Sequence, residues 1–144
     1  MIYFEEPKEF NSKFDVVSCF LEFQGKFLLL RRQDYKPQGN TWGVPAGKVE
    51  KNEKPVDGMI REFTEETGCI PDVKNFNFIK TIYVKYPECD FVYHMYEYVL
   101  VEPLDIKIDP VAHKDYKWVN PLEALEMNCI QDLDVCIKIK YNLF

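Results

Sequence analysis

The segment from Pro55 to Gly68 constrains the fold of this chain more than any other. Proline is favoured as the first residue of a helix, and glycine is favoured just after the last one, where the backbone turns left-handed. The two residues therefore predict a helix of about three to four turns over Val56–Thr67. Gly58 lies inside this segment and costs ~1 kcal/mol of helix propensity, so tertiary packing must hold the helix in place.

The two sides of this predicted helix differ in chemistry. A rotation of about 100° per residue puts one set of side chains on a stripe that is expected to face the core: Val56, Ile60, Phe63 and Thr67, with Met59 at its edge. The same spacing puts Glu62, Glu65 and Glu66 together on a separate stripe. Three carboxylates are therefore expected to share one side of the helix.

Two interpretations of the acidic stripe follow from the residues alone. Like charges at these spacings repel each other by a few tenths of a kcal/mol per pair, so something should neutralise them. Mg²⁺ would do so, because it takes oxygen ligands and bridges carboxylates to phosphates. The alternative is a solvated acidic surface relieved by basic neighbours, and Arg61 is indeed placed four residues before Glu65.

The rest of the chain alternates strand-like runs with short helices. Two apolar runs joined by Gln24-Gly25 predict a β-hairpin, and the Gly and Pro residues between Trp42 and Glu50 predict tight turns around short strands. The hairpin arms are Phe14–Phe23 and Lys26–Arg32, further strands are expected at Phe78–Tyr86, Phe91–Val101 and Tyr116–Val119, and short helices at Asn120–Met127 and Asp132–Tyr141.

Length, hydropathy and charge narrow the class of protein. A chain of 144 residues with 47% hydrophobic and 29% charged residues is expected to form a single domain over 1–144. It has no apolar run of the ~18 residues that a membrane helix needs, so no membrane association is expected. The net charge of −6 argues against stable nucleic-acid binding, which needs a basic surface. A homodimer is compatible with the sequence.

The cysteines and histidines exclude other classes of site. Five scattered cysteines without close pairs predict free thiols in a reducing compartment, and the first residues lack a secretory signal, so a cytoplasmic location is expected. His94 and His113 are the only histidines, and neither stands in a zinc-binding or Ser-His-Asp-like pattern. A zinc enzyme and a triad hydrolase are therefore disfavoured.

The string from Gly47 to Cys69 resembles the signature of the Nudix (MutT-like) family position by position. That signature reads Gly, five residues, Glu, seven residues, Arg-Glu, a hydrophobic residue, any residue, Glu-Glu, any residue, Gly and a hydrophobic residue. This chain has at those positions Gly47, Glu53, Arg61, Glu62, Phe63, Glu65, Glu66, Gly68 and Cys69. Seven fixed positions coincide by chance at odds on the order of 10⁻⁸ per starting point.

The resemblance implies a fold, a metal and an activity. The fold is α/β, a Nudix α/β/α sandwich with a mixed central β-sheet, and the activity is hydrolysis of a phosphoanhydride in a nucleotide. The resemblance implies Mg²⁺, with Mn²⁺ able to substitute for it, held by Glu62, Glu65, Glu66 and the main-chain carbonyl of Gly47. Glu62 and Glu65 are also expected to take part in catalysis.

Other residues receive supporting roles from the same resemblance. Arg61 and Glu53 are expected to orient the catalytic glutamate and to close the loop against the helix. Arg31 or Arg32 is expected to lie near the substrate phosphates. The general base stays open between Glu62 and a glutamate outside the signature, for which the candidates are Glu97 and Glu102.

The substrate is the least determined part of this prediction. A nucleoside triphosphate released as monophosphate and pyrophosphate is favoured, and a dinucleoside polyphosphate, ADP-ribose or a nucleotide sugar is the alternative. A nucleotide-sensing module without turnover is an alternative of another class. One aromatic residue could stack on a base, and the candidates are Phe14, Phe20, Tyr83, Tyr86 and Tyr96. Two departures from the family pattern are Ala46, in place of a common Gly, and Ala112 before His113, where many relatives have Glu.

Overall fold

The structure is a computed structural model that describes residues 1–144. Three helices and eight strands form the fold. The helices are α1 (Pro55–Thr67), α2 (Pro121–Leu125) and α3 (Leu133–Tyr141). The strands are β1 (Ile2–Tyr3), β2 (Ser12–Phe23), β3 (Lys26–Arg32), β4 (Trp42–Gly43), β5 (Ala46–Lys48), β6 (Phe76–Lys85), β7 (Asp90–Val99) and β8 (His113–Val119).

The eight strands form one mixed β-sheet. Its main order is β1-β6-β7-β2-β3-β4, with β5 paired to β2 and β8 paired to β3. The β2–β7 pair is parallel and the other pairs are antiparallel. Strands β2 and β3 pair only next to their turn, and farther along β2 its neighbour is β5 instead. Beyond the turn, β2 and β3 are therefore not paired with each other, and the sheet splits between β3 and β5.

The hairpin of β2 and β3 was predicted correctly. Its turn residues Gln24 and Gly25 both have positive φ, 51° and 78°, which matches the right-handed twist of the two strands. Side chains then alternate between the two faces of the sheet. Leu28 and Leu30 pack in one buried cluster, and Phe27 and Leu29 pack in another.

These two clusters cover opposite faces of the sheet. One contains Met59 and Phe63 of α1, and the other contains Cys136 and Ile137 of α3. Burying both faces of a sheet under helices is the usual solution for an α/β domain. The predicted α/β/α sandwich with a mixed sheet is thus confirmed.

Helix α1 begins at Pro55 and is capped by Gly68, whose φ is 75° and whose N–H donates to the carbonyl of Thr64. The predicted core stripe needs a correction, because Val56 and Ile60 are only half-buried whereas Gly58 and Met59 are buried. Gly58 lets the preceding loop approach the helix, since a Cβ there would lie 2.9 Å from Oε1 of Glu53. The buried side of the helix also includes Glu66.

The remaining elements differ from the predictions mainly at their ends. Strand β8 begins three residues earlier than predicted, and α2 ends two residues earlier, at Leu125. Asn120 caps α2 by accepting a hydrogen bond from the N–H of Glu123 at 2.8 Å. None of the helices has the length and apolar character of a membrane span. All five cysteines are free thiols.

Candidate active site

Glu66 is a buried carboxylate near the end of α1. Only 8% of its surface is exposed, and its Oε1 accepts a hydrogen bond from the N–H of Ala46 at 2.7 Å. Burial raises the pKa of Glu66 well above its usual range, the charge of Glu62 raises it further, and the Ala46 N–H only partly opposes this. An ionised Glu66 therefore needs additional positive charge beside it.

Glu62 lies against the main chain of Gly47. A Cβ built at Gly47 would be 2.1 Å from Cδ and 2.2 Å from Oε1 of Glu62, so only glycine leaves room for the carboxylate. The side chain of Glu62 is 14% exposed. Burial raises its pKa, and the hydrogen bond from Arg61 opposes that change. The sequence position of Gly47 is thus explained by the close approach of the glutamate.

Arg61 joins the helix to the loop before it. Its Nη1 donates to Oε1 of Glu62 at 2.7 Å, and its Nε and Nη2 donate to the two carboxylate oxygens of Glu53, both at 3.0 Å. Nη2 also donates to the carbonyl of Lys48 at 2.9 Å. These bonds lower the pKa of Glu53 and raise the pKa of the Arg61 guanidinium. The geometry agrees with the orienting role predicted for both residues.

Glu65 differs from its two neighbours. Its side chain is 55% exposed, and its Oε2 lies 3.6 Å from Nη1 of Arg61. No group of three or more His, Cys, Asp or Glu side chains in the structure is arranged to hold a metal ion. The carboxylates that approach the Ala46-Gly47 main chain are those of Glu62 and Glu66, and a metal-binding role for Glu65 stays a prediction.

A cavity of about 330 Å³ opens beside Glu66. Its polar part includes Gly47, Lys48 and Arg32 together with Glu66. Its apolar part includes aliphatic side chains and three aromatic ones, and Gln38, Gln131 and Asp132 add polar groups there. The aromatic residues are Tyr86, Phe91 and Tyr93. One cavity therefore joins a carboxylate site to a surface that can hold a ring.

The two arginines at the end of β3 have different surroundings. Arg32 lines the cavity, and its Nε donates to the carbonyl of Pro37 at 2.8 Å. Arg31 does not line it, because its guanidinium lies 5.6 Å from the centre of the Trp42 ring and its Nε donates to the carbonyl of Asn40. Arg32 is thus the arginine that lines the cavity, and its contact with a substrate phosphate stays a prediction.

Of the five aromatic candidates, only Tyr86 lines the cavity. Phe20 is fully buried in the core, and the other three pack against aromatic neighbours: Phe14 on Phe91, Tyr83 on Phe10 and Tyr96 on Phe78. Glu97 is paired with Lys140 at 3.1 Å, and neither it nor Glu102 lines the cavity.

Sequence reasoning missed Phe91, Tyr93, Asp132 and His113 as cavity residues. Alternation along β7 puts Phe91 and Tyr93 on the same face of the sheet, and this alternation can be read from the sequence. It could not be used, because the parallel pairing of β2 with β7 that brings them to the cavity is not written in the local sequence.

Comparison with known proteins identifies the family. A family model described as the NUDIX domain matches residues 12–135. The chain belongs to the Nudix family. It is 43% identical over 53 residues to the uncharacterized Nudix hydrolase YvcI of Bacillus subtilis strain 168, a match covering 37% of this chain and 31% of that one. It is 41% identical over 63 residues to the 8-oxo-dGTP diphosphatase of Buchnera aphidicola, covering 44% and 48% of the two chains.

These matches span less than half of the length of either relative. Among solved structures, the MutT protein from Methanosarcina mazei Go1 superposes with a TM-score of 0.76 at 23% identity, covering 95% of this Nudix chain and 99% of that one. At this level of identity the likeness supports the Nudix fold alone.

Proposed function

We propose that this Nudix protein is a metal-dependent pyrophosphohydrolase that cleaves a nucleoside triphosphate into a nucleoside monophosphate and pyrophosphate. The observation that carries the proposal is the single cavity that joins Glu66 and Gly47 to an aromatic-lined part. A nucleotide combines the same two kinds of group, charged phosphates and a planar base. Pockets with convergent polar groups and perturbed carboxyl pKa values are the usual sites of chemistry.

The residues present fit a bound Mg²⁺. Glu62, Glu66 and the main-chain carbonyl of Gly47 would hold it, and all three offer the hard oxygen ligands that it prefers. The missing Cβ of Gly47 keeps Glu62 beside that main chain, and the raised pKa of Glu66 marks a carboxylate that needs a cation. Two carboxylates suffice, because Mg²⁺ usually takes its other ligands from water and substrate phosphates. Mn²⁺ would substitute for it.

When bound, the metal ion would lower the pKa of a water molecule and neutralise phosphate oxygens. The protein supplies the rest of the chemistry. Glu62 is the proposed proton acceptor: it does not line the cavity itself but lies against Gly47, which does, and Arg61 donates to its Oε1 and leaves Oε2 free to take a proton. The water oxygen forms the new bond to phosphorus, the bridging P–O bond breaks, and its electron pair leaves with pyrophosphate.

Arg32 and the apolar part of the cavity position the substrate. The guanidinium of Arg32 suits phosphate oxygens, which it can bind with two parallel hydrogen bonds. Tyr86, Phe91 and Tyr93 offer apolar rings to a base. Asp132 lies there as well, held by the Tyr86 hydroxyl, which donates to its Oδ2 at 2.7 Å. Its carboxylate would accept a hydrogen bond from an N–H group of the base.

The size of the cavity favours a mononucleotide. Its volume of about 330 Å³ is at the low end of the ~300–1,000 Å³ usual for ligand pockets. It would take one nucleoside more readily than the two of a dinucleoside polyphosphate. The similarity to an 8-oxo-dGTP diphosphatase supports the same choice.

Turnover of a nucleotide panel tests the proposal. Nucleoside triphosphates, dinucleoside polyphosphates, ADP-ribose and nucleotide sugars would be supplied with Mg²⁺ to the wild type and to Glu66→Gln. We expect triphosphates to be cleaved. Glu66→Gln should lose about 100-fold or more in kcat/KM, because replacing a direct metal ligand should cost at least as much as replacing a residue that only supports one. Glu22→Gln is the matched control, because Glu22 is also mostly buried but pairs with Lys140 outside the cavity.

Each result of the nucleotide panel would favour a different function. Cleavage of ADP-ribose or a dinucleotide in preference to triphosphates would replace the proposed substrate. Tight binding without cleavage of any nucleotide would favour a sensing module. Full activity of Glu66→Gln would remove that residue from the metal site.

A further inference from the structure

The imidazole of His113 lies in the wall of the proposed active-site cavity with Arg32 and Glu66. Its residue surface is only 7% exposed, and its Nδ1 has no hydrogen-bond partner. A buried polar atom without a partner is uncommon, because it has lost its water and gained nothing in exchange. The rest of the cavity gives His113 no structural task that would explain the polar ring.

The backbone puts this side chain beside Arg32 through an irregularity in the sheet. Strand β8 pairs Asp115 with Arg31 and then His113 with Arg32, so Lys114 is left out of the pairing. An extra residue of this kind re-aims side chains and is common next to active sites. Lys114 points to a surface partner instead, since its Nζ contacts Oδ1 of Asp34 at 2.6 Å.

Main-chain hydrogen bonds hold the bulged segment firmly. The N–H of His113 donates to the carbonyl of Asp109 at 2.9 Å, and the N–H of Gln33 donates to the carbonyl of Ala112 at 3.0 Å. The Gln33 side chain donates to the carbonyls of Pro110 and His113 at 2.8 and 3.4 Å. The main chain that carries the imidazole is therefore fixed before any ligand binds.

The charged groups around His113 are of both signs. Arg32 and Lys36 are its cationic neighbours, and Asp109 and Glu66 are the acidic groups on the surrounding elements. Burial and the charge of Arg32 lower the pKa of His113 to about 4, so the ring is neutral near pH 7 and carries one N–H donor. A neutral donor next to a guanidinium can bind an oxygen of the same phosphate without repelling the arginine.

We propose that His113 is a substrate-binding residue whose ring N–H donates a hydrogen bond to a phosphate oxygen held beside Arg32. The inference rests on the proposed function in that the cavity must accept a nucleotide, but it does not require turnover. It also assigns a role at the position after Ala112, where the glutamate common in relatives is missing from this chain.

Ring ¹⁵N NMR of the labelled full-length protein tests this contact directly, because the chain has only two histidines. His94 is the internal control, since both of its ring nitrogens already have partners, Thr81 at 2.9 Å and Asp15 at 2.8 Å, and it does not line the cavity. The probes are α,β-methylene nucleoside triphosphates, which resist cleavage, inorganic pyrophosphate and unphosphorylated nucleosides, each with Mg²⁺. We expect the phosphate-bearing probes to shift a ring ¹⁵N signal of His113 and to leave His94 unchanged.

Two substitutions distinguish a binding role from a structural one. His113→Leu should raise the Kd of the methylene analogue by roughly tenfold, the value of one hydrogen bond, without lowering the unfolding temperature, because it removes an unpaired buried nitrogen. His113→Asn should retain more of the affinity than His113→Leu, because its amide group keeps an N–H donor at this position.

Several results would overturn the proposal. A saturating analogue that leaves the His113 signals unmoved would do so, and so would a shift produced by nucleosides alone. Failure of every phosphate probe to bind would overturn both this inference and the proposed function. Binding with the expected shift but no turnover of any nucleotide would sustain the inference and reject only the proposed activity.

Discussion

Replacing Gly47 by alanine tests the geometry on which the site depends. The added Cβ would lie 2.1 Å from Cδ and 2.2 Å from Oε1 of Glu62, whereas non-bonded carbon atoms rest at about 3.5–4.0 Å. The carboxylate must therefore move by roughly 1.5 Å. Gly47 does not have positive φ, so alanine causes no backbone strain of that kind.

A movement of this size should affect chemistry far more than folding. The atoms that must give way are the far end of a flexible side chain, but a misplacement of about 1 Å at a catalytic group can cost on the order of 100-fold in rate. We expect Gly47→Ala to lose at least about 100-fold in kcat/KM, close to 2.7 kcal/mol of transition-state stabilisation. The unfolding temperature should change by only a few degrees, roughly the effect of 1 kcal/mol.

The assay would measure Mg²⁺-dependent turnover of the best triphosphate, Mn²⁺ affinity and thermal unfolding. Gly43→Ala is the matched control, because Gly43 also lines the cavity but a Cβ there would meet only Ile130, at 3.4 Å. It should keep activity within severalfold of the wild type. Equal activity and equal Mn²⁺ affinity in Gly47→Ala and the wild type would refute the reasoning.

Three further predictions follow from the same geometry. Arg32→Met should raise KM by at least tenfold because it removes the arginine of the cavity, whereas Arg31→Met should lower the unfolding temperature and leave KM nearly unchanged. Steady-state kinetics and thermal melts measure both, and the opposite pattern would contradict this assignment. Tyr86→Phe should reduce the unfolding free energy by about 1 kcal/mol, because the carboxylate of Asp132 loses a donor, and urea titration would measure this. His113, with its folded pKa near 4 against 6.5 for a free imidazole, stays neutral in the folded state while the unfolded chain takes up a proton. The free energy of unfolding should therefore fall by about 3 kcal/mol as the pH drops from 6.5 to 4, and His113→Leu should lack that part of the acid sensitivity in urea titrations across this range.

Local sequence signals predicted the elements that depend on nearby residues. The Pro55 and Gly68 boundaries of α1, the Gln24-Gly25 turn and the Asn120 cap each rest on backbone preferences within a few positions, and the structure agrees with them. Which side of α1 faces the core was harder to predict from the sequence. Glu66 is buried where the Ala46 main chain approaches the helix and donates to its carboxylate, and helical periodicity does not contain that contact.

The composition of the cavity depended on long-range pairing. The signature pointed to Glu62, Glu66 and Gly47, because these positions are fixed relative to one another on a helix and its preceding loop. His113 and Asp132 reach the same cavity from the C-terminal third of the chain, through the bulge in β8 and the left-handed backbone of Asp132, whose φ is 66°. Neither feature has a sequence pattern specific enough to assign it to a site.

Anomalous diffraction from a crystal soaked in Mn²⁺ would test most directly whether the buried carboxylates of α1 form a metal site. We predict an anomalous peak in contact with carboxylate oxygens of Glu62 and Glu66 and with the carbonyl of Gly47. A fully soaked crystal in which Mn²⁺ binds elsewhere, with the Ala46 N–H remaining the only partner of Glu66, would contradict the assignment of this site.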